Sequence, residues 1–336
     1  MRRNNLYFYS YTANFKVPIE TPLIHLDKRE VLVVEWVDIY GRSYFGECNA
    51  FETDWYHDET IASVVINLKK WFEKHQHDTF DNYESSVSKL NELDEYPNAR
   101  SVLSMIFVQM FNELGEVKVS YGATVNGHLK EYVTRYAHTM PNRIKLKWNQ
   151  HSKEDMKFLE TQYPDVLRVI DANGKITESD ISILNQFKSK QFIYIEQPFK
   201  DYETYLTLRN KLNVPVFIDE SAVNVDTVNK FNTEQVIDGV VVKPSRVGGI
   251  DKAIEMINYC KQNELKVVIG GMYEFGLSAY FTAMLASYSD YPSDISPSDY
   301  YFDHDFIENP ASIDQNNIMY TPPLVNKQKL KKYNKY

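Results

Sequence analysis

Two periods of apolar and polar alternation run along this chain. Over "NLYFYSYTANFKV" and "REVLVVEWVDIYGRSYFGE" the period is two, with aromatic and β-branched enrichment, which predicts strands; the second stretch reads as a hairpin turned at Tyr40, Gly41 and Arg42. "DETIASVVINLKKWFEKH" and "NARSVLSMIFVQMFNELG" carry the helical period instead. The first of these opens on acids and closes on bases, as the helix dipole favours. An α+β domain is therefore expected over residues 1–117.

From residue 118 the texture changes. Short apolar strands, "SYGATV", "RIKLKW", "VLRVID", "FIYIEQP", "VPVFIDE", "GVVVKP" and "KVVIGG", are separated by amphipathic stretches such as "SKEDMKFLETQY", "TESDISILNQF", "YETYLTLRNKL" and "IDKAIEMINYCKQN". Strand and helix alternating in this way predict parallel βα units. Seven or eight such units close a barrel, and an open doubly wound sheet is the competing arrangement. No glycine-rich phosphate fingerprint follows the first strand, which weighs against a dinucleotide fold. The stretch from "DISPSDYYFDHDFIENP" onward shows no clear helix and is expected to rejoin the N-terminal domain from about residue 305, leaving 118–304 as the barrel.

Five of the apolar strands end on a charge: Lys147, Asp171, Glu196, Asp219 and Lys243, at steps of 24, 25, 23 and 24 residues. One such charge is commonly the first solvated position of a loop. Five in register, one per βα unit, are expected to meet at the mouth formed by the C-terminal ends of the strands, where barrel sites are built. The segment "NRIKLKW" adds a second lysine, because Lys145 and Lys147 share one face of their strand. That face meets either water or a cavity, and the ring of strand-end charges favours the cavity.

The residue types set the chemistry. Asp171, Glu196 and Asp219 on consecutive strands repel one another unless something positive lies between them. A hard divalent cation does this, and an all-oxygen set without His or Cys favours Mg2+, with Mn2+ as a substitute; pairing with nearby Arg or Lys is the bland alternative. Counted from "SYGATV", Lys147 stands on the second strand and Lys243 on the sixth, across a ring of eight. A small-molecule carboxylate bound at the metal would sit between two amines. Lys147, with its pKa lowered by the cation and by Lys145, is expected to abstract the proton beside that carboxylate, and Lys243 to face the resulting enediolate.

Composition excludes several classes. A net charge of −9 offers no basic surface for nucleic acid, apart from the short basic tail "NKQKLKKYNKY". No apolar run is long enough for a signal peptide or a membrane span. Cys48 and Cys260 are far apart in the chain, which points to a reducing cytoplasm rather than a disulfide framework. The 25 tyrosines and 18 phenylalanines fit a large core and would equally permit a homo-oligomer interface.

"KLK", "VIDANG", "YIEQP", "FIDES", "VVKPSRVGGI" and "GGMYEFG", spread over nearly the whole chain, resemble the enolase superfamily and within it the muconate lactonizing enzyme subgroup. The resemblance implies a (β/α)7β modified TIM barrel under an α+β cap made from the N-terminal part and the C-terminal segment. Loops near residues 18–26 and 48–57 would close over the substrate. It implies Lys147 and Lys243 as acid/base residues and Asp171, Glu196 and Asp219 as magnesium ligands. Lys145, Asn173, Glu220, Ser245, Arg246, Gly271 and Met272 would support the site or contact substrate. Phe275 departs from a threonine common among relatives and is expected to reshape the pocket. Arg246 either lowers the pKa of Lys243 or pairs with a surface carboxylate. The implied reaction is dehydration of a succinylated hydroxycyclohexadiene carboxylate. Proton transfer on N-succinylamino acids or dipeptides is the alternative, and a non-catalytic carboxylate binder is the reading from another class.

Overall fold

The computed structural model describes residues 3–20, 24–125, 127–187 and 189–334. Part of the loop expected over 18–26 therefore lies outside the described residues. The N-terminal sheet has the order β14-β1-β2-β3, all antiparallel, from β1 (Asn5–Glu20), β2 (His25–Val37), β3 (Ser43–Cys48) and the C-terminal β14 (Lys331–Lys332). The hairpin turns where the sequence indicates. Gly41 takes φ 84°, and the Asp38 carboxylate accepts from the backbone N–H groups of Tyr40 and Arg42, at 2.9 Å each.

Strand β2 is buried on both faces, and its two-residue period sorts its side chains between two cores. Val31 and Val33 join the core shared with the barrel. Leu32, Val34 and Trp36 turn the other way, toward α1 (Ile61–His75), α2 (Tyr83–Ser88) and α3 (Pro97–Phe111). Trp36 is fully buried there, edge-on to Phe72 and Phe80 with ring centroids 5.3 and 5.2 Å away.

The acidic opening read for α1 serves another helix. α1 starts with a capping box of Thr60 and Ser63, and Glu59 instead accepts from the backbone N–H groups of Asn98 and Ala99, at 2.7 and 3.2 Å, in the first turn of α3.

The second unit is a TIM-barrel-like α/β fold. It runs β4 (Val117–Val125), α4 (Leu129–Arg135), β5 (Arg143–Lys147), α5 (Ser152–Gln162), β6 (Leu167–Asp171), α6 (Ile181–Leu184), β7 (Phe192–Glu196), α7 (Tyr202–Leu208), β8 (Val216–Ile218), α8 (Val225–Thr233) and β9 (Gly239–Val242). It continues through α9 (Pro244–Val247), α10 (Ile250–Gln262), β10 (Lys266–Ile269), α11 (Gly276–Ala286) and β11 (Ser293–Asp294). Strands β4 to β10 pair in parallel and in chain order, without the reversal of a doubly wound sheet.

β11 lies between the two ends of this run of strands. It pairs in parallel with β4, and Asp294 bridges to Gly270 just past β10. Gly122 makes this approach possible, because a Cβ there would strike the Ser293 carbonyl and the Arg143 guanidinium. Among these strands Val169, Tyr194, Phe217, Val241 and Val268 form a small core of their own, with Tyr194 stacked on Phe217 at 3.9 Å.

The C-terminal segment divides its pairing. β12 (Ser312–Asp314) and β13 (Asn317–Tyr320) form a hairpin on the outer edge of β4, and β14 crosses to the N-terminal sheet. Among the described residues no helix is long and apolar enough to cross a membrane.

Candidate active site

Strand β5 stacks three cations on its inward face, Arg143, Lys145 and Lys147, from the barrel interior toward the mouth. Lys145 is buried and donates to both Glu196 oxygens at 2.8 and 3.0 Å and to Asp294 Oδ2 at 2.5 Å. Burial pulls its pKa down, but the Asp294 and Glu196 charges overcome this and hold it well above the usual lysine range.

Lys147 stands at the rim, its side chain 41% exposed, and donates to Asp171 Oδ2 at 2.6 Å and Asn173 Oδ1 at 3.0 Å. Its pKa is raised, although Lys145 lowers it as expected from the sequence. Burial and the Lys145 charge both push it down, and the Asp171 carboxylate outweighs them.

The five strand-end groups converge. Asp171 and Glu196 are direct register partners on β6 and β7, and Asp219 follows at the end of β8. All three are buried. Across the mouth Lys243, only 9% exposed, donates to Asp219 Oδ2 at 2.8 Å. Arg246 donates to both the carbonyl and the carboxylate of Asp219, and its other end reaches the Tyr56 hydroxyl of the 48–57 loop. Its partner is thus a buried carboxylate rather than a surface one. Arg246 does lower Lys243, but less than Asp219 raises it, so the Lys243 pKa stands above its ordinary value.

These carboxylates fit a hard cation in kind. Burial raises the Glu196 pKa, and the charges of Asp171, Asp219 and Asp294 raise it further, the mark of crowded negative charge. Among the described residues no three such groups converge on one point as they stand. Each is paired with a lysine or arginine, so the bland pairing foreseen from sequence occupies the same oxygens that a cation would use.

A cavity of about 540 Å³ opens over these groups. Lys145, Lys147, Asp171, Asn173, Asp219, Glu220, Lys243, Gly271 and Met272 line it. Asn173 donates to Glu220 at 2.8 Å and so ties the loops after β6 and β8 together. Ser245 and Arg246 lie outside this cavity, in a neighbouring one of about 80 Å³ behind Lys243.

Phe275 does not itself line the cavity, but it packs behind the wall residue Phe302. It is buried where the cap meets α11, stacked on Phe302 at 4.3 Å, while its N–H donates to Glu47 of β3 at 2.9 Å. The pocket wall is aromatic in other places, at Trp55, Tyr56, Tyr273, Tyr301 and Phe302.

Two carboxylates went unread in the sequence. Glu274 lines the cavity, held by Asn49 at 3.1 Å and Thr282 at 2.8 Å, and burial pushes its pKa up to about 7. Asp294 lies 51 residues after Lys243, about two βα units on, so the repeat spacing was the available signal.

The comparisons with known proteins agree with this geometry. Residues 128–323 match the family "Enolase C-terminal domain-like". The o-succinylbenzoate synthase of Bacillus subtilis (strain 168) is 30% identical over 91% of this chain and 88% of its own length. The N-succinylamino acid racemase of Thermus thermophilus is 26% identical over 75% of this chain and 74% of its own. A dipeptide epimerase from Enterococcus faecalis, solved with Mg and the dipeptide L-Leu-L-Tyr, superimposes with a TM-score of 0.81 at 15% identity over 98% of this chain and 100% of that one. The chain belongs to the enolase superfamily.

Proposed function

We propose that the protein is an o-succinylbenzoate synthase, dehydrating 2-succinyl-6-hydroxy-2,4-cyclohexadiene-1-carboxylate to 2-succinylbenzoate in menaquinone biosynthesis. The observation that carries this reading over the racemase is the inequality of the two lysines. Lys147 is half exposed at the rim and tied to one carboxylate, whereas Lys243 is 9% exposed and locked against Asp219 beside Arg246. One accessible base and one buried cation suit elimination on a single face. The length of the match to the Bacillus synthase supports the same choice.

The residues divide the work as follows. Lys147 takes the ring proton beside the carboxylate, breaking the C–H bond, and Lys243 remains a cation next to the enediolate charge that develops. Lys147 then returns the proton as the C–O bond breaks, so that hydroxide leaves as water and the ring becomes aromatic. Asp171, Glu196 and Asp219 are the residues that would hold Mg2+, which supplies positive charge beside the substrate carboxylate. Lys145, Asn173 and Glu220 hold these groups in register, and Tyr56 and Trp55 close the mouth from the cap.

We place the cap in residues 1–117 with about 305–336 and a (β/α)7β barrel in 118–304; the pairings of β11 with β4 and of β14 with β1 support this division. Both cysteines are free and buried, which fits a cytoplasmic setting.

N-succinylamino acid racemisation is the second reading, favoured by the presence of a lysine on each side of the cavity. The test is a direct assay with the cyclohexadiene carboxylate beside N-succinylamino acids, with exchange of the α-proton followed in deuterated water. Dehydration should dominate. Racemisation without dehydration would refute the synthase reading, and no proton exchange on either substrate would leave a binder.

A further inference from the structure

The proposed chemistry leaves Asp294 without a task. Its strand is two residues long, yet its two carboxylate oxygens engage two buried cations of β5, Arg143 and Lys145. Oδ1 accepts from the Arg143 guanidinium and Oδ2 from the Lys145 ammonium at 2.5 Å. Lys145 gives its remaining donors to Glu196, and Asp171 stands at 3.8 Å. An ammonium group has three hydrogens, so this set is full.

Glu196 and Asp171 are two of the three carboxylates assigned to the cation. Lys145 and a divalent ion therefore compete for the same oxygens, and Asp294 is the partner that can stay with the lysine when the others turn away. Without it, buried Lys145 and Arg143 would be left with Glu196 and the Tyr194 hydroxyl. A buried ammonium without a carboxylate is costly enough to keep Glu196 bound to it.

We infer that Asp294 is a positioning residue for metal binding, which anchors Lys145 to β11 and so frees Glu196 and Asp171 to face a divalent cation. The inference rests on the proposed metal reading.

Calorimetric titration of the purified protein with Mg2+ tests it, beside thermal melts, on the unaltered chain and on Asp294→Asn and Asp294→Glu. Asp294→Asn is expected to bind Mg2+ about tenfold more weakly, the usual size for residues that orient metal ligands. The substrate KM at saturating Mg2+ should be unchanged, with kcat recovering as Mg2+ is raised. Asp294→Glu, which keeps the charge but displaces it, should weaken binding less. A residue that only holds β11 in place would lower the melting temperature and leave the Mg2+ affinity of the folded protein intact. That result in Asp294→Asn, or in Asp294→Glu should the asparagine variant not fold, overturns the inference. If the unaltered protein takes up no Mg2+, the metal reading fails first and this inference with it.

Discussion

Lys147 and Asp171 are register partners across β5 and β6, and a 2.6 Å ion pair joins their side chains. The candidate base is thus held by a candidate metal ligand. The Asp171 charge raises the Lys147 pKa, favouring its ammonium form. Anything that engages Asp171 elsewhere weakens this hold on Lys147, so on the proposed reading the metal site and the base are coupled.

Replacement of the two lysines should separate their roles. Lys147→Ala is expected to lower kcat/KM for dehydration by about 10²–10⁴-fold, the range for loss of a general acid/base group. Lys243→Arg keeps a cation against Asp219 and should retain a trace of dehydration, while abolishing any racemisation. Steady-state rates decide this, and a Lys147→Ala enzyme with the unaltered rate would remove Lys147 as the base.

Chelation should have a graded signature. Treatment with a chelator is expected to abolish activity, Mg2+ to restore it, and Mn2+ to restore part of it. The fold should persist, because Lys145, Lys147, Lys243 and Arg246 neutralise the carboxylates in the ion's place. Full activity in metal-free buffer would sink the mechanism, and loss of the folded far-ultraviolet signal on chelation would contradict the pairing argument.

What the sequence disclosed and what it hid follow from range. The seven barrel strands it marked are apolar runs of local pattern, and each formed where the pattern placed it. Asp294 escaped because β11 has two residues and no apolar run, so its strand character comes wholly from β4 and Gly270. The five strand-end groups were legible because a repeat puts each at the same point of its unit. Their partners were not, because Arg246 meeting Asp219 or Glu59 capping α3 is a contact between units that no local period encodes. The pull of Asp171 on Lys147 was hidden for the same reason: the neighbour on its own strand, which lowers the lysine as expected, was visible, and the stronger one across the register was not.

The pairing of β11 with β4 should be sensitive at Gly122. Gly122→Ala places a methyl group against the Ser293 carbonyl, a backbone atom that cannot swing aside. Overpacking of this kind costs about 1–3 kcal/mol. The melting temperature should fall by several degrees, with Asp294 drawn off Lys145 as β11 shifts. An unchanged melt would show that β11 is not held as tightly as the pairing indicates.

The joint between cap and barrel carries a pH dependence. Glu47 of β3 accepts from the N–H groups of Phe275 and Ser278 at 2.9 Å each, at the start of α11. Burial pushes its pKa up to about 8 from an ordinary 4.5, against the pull of those two donors. A carboxyl raised on folding binds its proton more tightly in the native state, so its contribution to stability is complete below about 4.5 and is lost as pH climbs through about 8. Full ionisation removes roughly 5 kcal/mol, at about 1.36 kcal/mol per unit over the rise from 4.5 to about 8. Glu274, raised to about 7, adds a loss of the same sign over a narrower window. The melting temperature should therefore decline as pH rises from about 4.5 to about 8. Glu47→Gln keeps an acceptor for α11 and cannot ionise, so its decline should be shallower and its stability at the alkaline end higher than that of the unaltered chain. Melts of the two proteins across that range measure the difference, and parallel curves would mean that the two N–H donors and the helix terminus hold Glu47 ionised throughout.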